Sequence, residues 1–264
     1  MSHYTVMVIG EDYESILAPY DENMEIEEHI DRTKEQIHEE FMDYYGKVVA
    51  ENKPVSELTD FEKLTLKLKE ENGVWVSQWC GQGLDKNGNT LSRYNPDSKW
   101  DWYAVGGRWS GTLILKPGEA GVLGERSWTN ESKKLPLNCA DQALKCQVDW
   151  DAMNEQAKLQ ARRDWDELFD PNPDHCMYRP AYVEKQRKIH LEMYGTKEAY
   201  VKRRGVWTPY AVVTESGWHA PGDMGWWGMS SDETEDRDTF DQEFQKLFAE
   251  QADDAMITMV DCHI

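Results

Sequence analysis

An α+β fold, a mostly antiparallel sheet with helices packed on one face, follows from three features of this sequence. Alternating, β-branched runs open and close it (HYTVMVIG and MITMVDCHI), and amphipathic helical stretches lie between them. The order of elements is strand, helices, strand pair, helices, strand, helix, strand, which suits helices layered on a sheet. With no internal repeat and no low-complexity linker, residues 1–264 read as a single domain with a helical insertion over 149–204. A ferredoxin-like core with long insertions fits this order, and in such a core the last strand lies beside the first.

Taken in turn, HYTVMVIG predicts the first strand, and LAPYDEN predicts a turn on Pro19 and Asn23. Ile26, Ile30, Ile37 and Phe41 recur at helical spacing among acids. A second helix is expected from Ser56 to about Glu71, stopped by Asn72-Gly73. GVWVSQWC reads as a strand, followed by the DKNGN and NPDS turns. Residues 117–147 show no clear period. Trp150, Met153, Ala157, Ala161, Trp165 and Leu168 form one apolar stripe that ends at DPNPD. A further helix runs from Ala181 to about Met193, with KRRG at 202–205 closing it by base-rich residues. PYAVVT, ESG and WHA read as a hairpin, and Phe240, Phe244, Leu247 and Phe248 as the inward stripe of the last helix.

The charge is unevenly placed. Lys+Arg 29 against Asp+Glu 50 gives −21. Glu11–Asp43 holds thirteen acids and two bases, and Glu215–Asp254 holds twelve and two, so these two segments carry the whole excess. Lys158–Arg204 is slightly basic, with eleven bases against eight acids. The missing basic footprint argues against ordinary nucleic-acid binding and leaves mimicry of a nucleic-acid backbone as the one route to such a role. The plainer reading is two solvated helix faces. Five cysteines with no CxxC spacing read as a reduced, cytoplasmic chain. No apolar run approaches the ~20 residues of a membrane span. No P-loop, dinucleotide fingerprint, nucleophile elbow, deaminase signature or zinc spacing occurs, so no cofactor and no metal is expected.

The densest chemistry is WDWYAVGGRW, Trp100 to Trp109. Gly106-Gly107 reads as a two-residue hairpin loop, because both central positions of such a turn take positive φ. That register puts Trp100, Trp102 and Trp109 on one face as core. The polar set Asp101, Tyr103 and Arg108 then faces a ligand, with the arginine fork suited to a phosphate or carboxylate. The alternative is that the glycines mark a bulge or a close backbone approach.

Two further constellations stand out. The loop WHAPGDMGWWG offers His219 and Asp223 as acid–base groups beside Trp226 and Trp227 as a stacking platform, or else an indole plug over the sheet edge. On the last strand, Asp261 and His263 point the same way, either as the start of a catalytic arrangement or as a surface pair.

The blocks KWDWYAVGGRW, PYAVVTESGWHAPGDMGWWG and VDCHI resemble an uncharacterised protein family met in bacteriophage genomes, over about a quarter of the chain in scattered pieces. The resemblance implies a phage or phage-derived setting and the bacterial host cytoplasm. No activity is established for that family, so no residue role is carried over. Two functions follow as expectations. One is an accessory protein that binds a host protein or sequesters a small ligand, with a role in host takeover or anti-defence. The other is a small enzyme on a nucleotide-like or other anionic substrate, which requires Arg108, His219 and the Asp261/His263 pair to converge.

Overall fold

The computed structural model describes residues 2–37, 39, 68–71, 74–77, 85–127, 134–170, 180–225, 228–232 and 234–264. They form an α+β structure in two compact units, residues 1–21 with 97–264, and residues 22–96.

The larger unit is built on a seven-stranded sheet. Its strands are β1 (His3–Ile9), β6 (Trp102–Gly107), β8 (Glu125–Arg126), β10 (Gln142–Leu144), β11 (Ala211–Thr214), β12 (Gly217–His219) and β13 (Met256–His263), while β7 (Leu113–Ile114) and β9 (Cys139–Ala140) pair with each other. The order is β12-β11-β1-β13-β6-β8, with β10 also on β13. β13 lies along the whole of β1, from His3↔His263 to Ile9↔Ile257. Its other edge is shared, first with β10 and then with β6. The last strand therefore does lie beside the first. The pairing of β1 with β11 is parallel, however, and this departs from an all-antiparallel ferredoxin-like sheet. Parallel neighbours need a long crossover, and the helices that precede β11 supply it.

Those helices are α2 (Trp150–Phe169), α3 (Pro180–Tyr194) and α4 (Lys197–Arg204); a short α1 (Tyr13–Leu17) follows β1, and α5 (Thr234–Glu250) precedes β13. The Asp149 carboxylate accepts from Ala152 N and caps α2. Thr196 caps α4 in the same way, so the base-rich 202–204 run ends its own helix rather than closing α3. Among the described residues no helix is long and apolar enough to cross a membrane.

Alternation divides the sheet into two faces. Met7, Ile9, Val212, Ile257 and Met259 form one, packed with Phe240 and Phe244 of α5 and Met153 of α2. Tyr4, Val6, Val8, Val260 and Cys262 form the other, under Leu17 of α1 and Trp100. Each fully buried aliphatic or aromatic side chain of this kind contributes about 1.5–3 kcal/mol by leaving water.

WDWYAVGGRW does not form a hairpin. β6 pairs with β13, more than 150 positions away in sequence, and with β8. Gly106 and Gly107 do take positive φ, 80° and 52°, but as the last residues of β6, paired with Glu125 and Arg126 of β8, before the chain enters the 108–111 turn. The reading of all three tryptophans as core is corrected with it. Trp100 is buried and donates from Nε1 to Leu17 O, whereas Trp102 is 44% exposed.

In the smaller unit, β2 (His29–Arg32) pairs with β5 (Thr90–Ser92), and β3 (Leu68–Glu71) with β4 (Val74–Ser77). The helix expected through Ile30 is thus a strand over 29–32, and residues 68–71 are a strand rather than a helix end. Glu71 pairs with Val74, and Asn72-Gly73, read as a helix stop, lies outside the described residues. Residues 40–67 of the two expected helices lie outside the described residues.

Candidate acid–base site

The strand register brings four polar side chains to one end of the sheet. His3 lies opposite His263, and Thr5 opposite Asp261, so His3 and Asp261 are diagonal neighbours on one face. On the other edge of β13, His263 lies opposite Trp102. Asp101, just before β6, donates its N–H to His263 O at 3.0 Å.

Two cross-strand imidazole–carboxylate pairs result. His3 Nδ1 is 2.8 Å from Asp261 Oδ1, and His263 Nδ1 is 2.6 Å from Asp101 Oδ1. An ionised carboxylate only accepts, so each neutral ring carries its hydrogen on Nδ1 and presents Nε2 as an acceptor. Neither Nε2 makes a hydrogen bond among the described residues. The two rings meet edge to face with centroids 4.9 Å apart. The Trp102 indole stacks on His263 at 5.1 Å and meets His3 edge-on at 5.3 Å.

The carboxylates are held from behind. Asp261, with a side chain only 2% exposed, also accepts from the Arg108 N–H at 2.9 Å. Gly107 lies against it so closely that a Cβ there would fall 2.5 Å from Asp261 Oδ2. Beside it, the fully buried Asp141 accepts from Ser110 Oγ (2.9 Å), Gly111 N (2.6 Å) and Gly124 N (2.9 Å). A Cβ on Gly106 would fall 2.5 Å from Asp141 Oδ2. The glycine pair therefore marks a close backbone approach, to carboxylates of the chain itself.

The residues expected from sequence separate into groups. Asp261, His263, Asp101 and, through its amide, Arg108 come together, although Asp261 and His263 each pair with another partner and are buried rather than a surface pair. Tyr103 faces the opposite side, against Trp100 and Tyr13, where burial pushes its phenol up to about 12. His219 lies opposite Val212, itself opposite Met7, so it is level with Met259 and three strand spacings from β13. That places it about 16 Å from Asp261. Its Nε2 is buried without a hydrogen-bond partner among the described residues. Asp223 is exposed and paired with Lys99 Nζ at 2.6 Å. The convergence of Arg108, His219 and Asp261/His263 on one site is thus not met at His219. Trp226 and Trp227 lie outside the described residues; the flanking Gly225 O and Gly228 N both bond Ser2 Oγ.

His3 and Trp102 were missed by the sequence reading. The signal for His3 was present: β1 alternation places it on the Met7 face, and a last strand beside the first sets it against His263. Comparison with protein families, with curated proteins and with solved structures gives no match to this chain, so the site is read from its geometry.

Proposed function

We propose that this protein is an enzyme that cleaves or transfers a phosphoester of a nucleotide-like substrate by paired acid–base catalysis at His3 and His263. The observation that carries the reading is the pair of imidazoles 4.9 Å apart, each with Nδ1 held by its own carboxylate and Nε2 uncommitted among the described residues. One ring takes the proton of the attacking hydroxyl or water, and the other, protonated, delivers a proton to the leaving oxygen. Asp261 and Asp101 fix the ring orientations, as the carboxylate of a catalytic triad does. The half-exposed Trp102 offers a flat face for a base. The alternative reading as an accessory binding protein rests on the two acidic segments, the absence of a catalytic sequence motif and the resemblance to phage proteins.

The test is turnover of a panel of chromogenic phosphodiesters and phosphomonoesters and of cyclic and linear nucleotides, across pH. A bell-shaped profile is expected for a substrate that uses both rings. His3→Asn and His263→Asn keep a donor where Nδ1 stands but remove Nε2, and each should lower turnover by roughly 10²–10⁴-fold with the fold intact by circular dichroism. Turnover that survives either substitution, or no turnover on any member of the panel, would overturn the proposal.

A further inference from the structure

The locally basic stretch 158–204 folds so that Arg163 of α2 and Arg204 of α4 line a cleft of about 750 Å³ together with Arg237 of α5. Among the described residues each guanidinium makes only neutral contacts. Arg163 Nη2 donates to Gln160 Oε1 at 2.7 Å, Arg204 Nε to the Tyr194 hydroxyl at 3.1 Å, and Arg237 Nη2 to Pro209 O at 3.4 Å. The Arg237 guanidinium also lies 5.7 Å from the Tyr210 and Phe240 ring centres. Among the described residues no carboxylate oxygen lies within 4.0 Å of any of the three, whereas Arg187 and Arg203 nearby pair with Glu184 and Asp238. The two acids that line the cleft are engaged by neutral donors, Asp164 by Gln160 Nε2 and Asp241 by Thr208 Oγ1.

In a chain of net charge −21, three arginines without a carboxylate partner around one concavity are an arrangement that attracts an anion and focuses its approach. Planar guanidinium forks match phosphate oxygens bidentately. Tyr200 and Trp207 line the same cleft and add flat apolar surface, and its volume falls within the ~300–1,000 Å³ of small-molecule sites. We propose that this cleft binds a nucleoside di- or triphosphate, with its phosphates on the arginines and its base against the aromatic wall. The proposal stands independently of catalysis at His3 and His263.

Titration calorimetry on the whole protein with ADP, pyrophosphate and adenosine, at about 20 mM and about 200 mM salt, tests it. ADP should bind saturably and more weakly at the higher salt, pyrophosphate should bind less tightly than ADP, and adenosine least tightly. Arg163→Gln, at an exposed position where the fold is secure, and Arg204→Gln should each weaken ADP by about tenfold or more. Arg162→Gln, one residue outside the cleft, and His263→Gln should bind as the unaltered protein does. Three results would overturn the proposal. They are no saturable heat from ADP up to about 5 mM at low salt, adenosine binding as tightly as ADP, or ADP affinity unchanged in both Arg163→Gln and Arg204→Gln.

Discussion

Replacing Asp261 by Asn tests the mechanism at its most buried point without changing volume. The carboxylate accepts from His3 Nδ1 at 2.8 Å and from Arg108 N at 2.9 Å, and it is almost fully enclosed. A charge-assisted hydrogen bond is worth about 1.5–3 kcal/mol and a neutral one about 1. Two bonds that lose charge assistance therefore cost roughly 1–4 kcal/mol. An amide also has only one acceptor. If its oxygen serves the Arg108 N–H, its NH₂ faces His3 Nδ1, and that ring must move its hydrogen to Nε2. The position that accepted a proton then presents one. In a chain of this size about 1 kcal/mol shifts the midpoint by ~2–4 °C, so a fall of roughly 2–16 °C is expected in a thermal melt. Long-range ¹H–¹⁵N spectra of the histidine rings report the tautomer directly. An unchanged melting temperature with the His3 hydrogen still on Nδ1 would refute the account of Asp261 as the group that sets this ring.

Four other outcomes follow from the same geometry. Gly107→Ala places a Cβ against Asp261 at a φ of 52° and should destabilise by about 2 kcal/mol or more, read by urea unfolding. Asp141→Ala strips Ser110 Oγ, Gly111 N and Gly124 N of a buried acceptor and should cost about 3 kcal/mol or more in the same assay; a loss under about 1 would show that water replaces the carboxylate. Of Cys139, Cys146 and Cys262, the exposed Cys146 should be alkylated first, because burial holds the other two thiols in the protonated form, Cys262 most of all; peptide mapping after a brief exposure reads the order. Tyr103 keeps its proton in the folded chain to about pH 12, whereas an unfolded tyrosine ionises near 10. Its contribution to stability is therefore complete below about pH 10 and is lost as the pH rises towards 12. Comparing alkaline unfolding of Tyr103→Phe with that of the unaltered chain measures it.

The periodic elements were legible because their own residues carry the signal. β1 and β13 alternate, and the stripes of α2 and α5 bury Met153, Ala161, Trp165, Phe240 and Phe244. Short elements were not. Over His29–Arg32 the apolar spacing fits a helix, yet Thr90–Ser92 supplies a strand partner that no local pattern announces. WDWYAVGGRW failed for the same reason on a larger scale. Two glycines of positive φ suit a hairpin, but pairing of Trp102–Val105 with Val260–His263 takes precedence, and the glycines end the strand instead. Asp261 and His263 were readable as candidates from alternation alone. Their real partners, His3 and Asp101, come from two other strand registers and so depend on topology.

That dependence bears on how the candidate site works. The chain places two buried carboxylates side by side at the junction of β10 and β6 along β13. Among the described residues Asp141 accepts from a hydroxyl and two amides and from no histidine. Asp261 receives one amide, and its other bond goes to His3. Gly106 rests against the first and Gly107 against the second, so the 106–111 turn is clamped between them. The Arg108 N–H is thereby aimed at Asp261 by the backbone, with no flexible side chain involved. A fixed donor on one oxygen leaves the other oxygen to fix the ring, and under the proposed function orientation set in advance in this way costs nothing at the moment of proton transfer. The buried Asp141 thus supports, through Ser110 and Gly111, the turn that holds the Arg108 N–H on Asp261, although among the described residues it bonds neither imidazole.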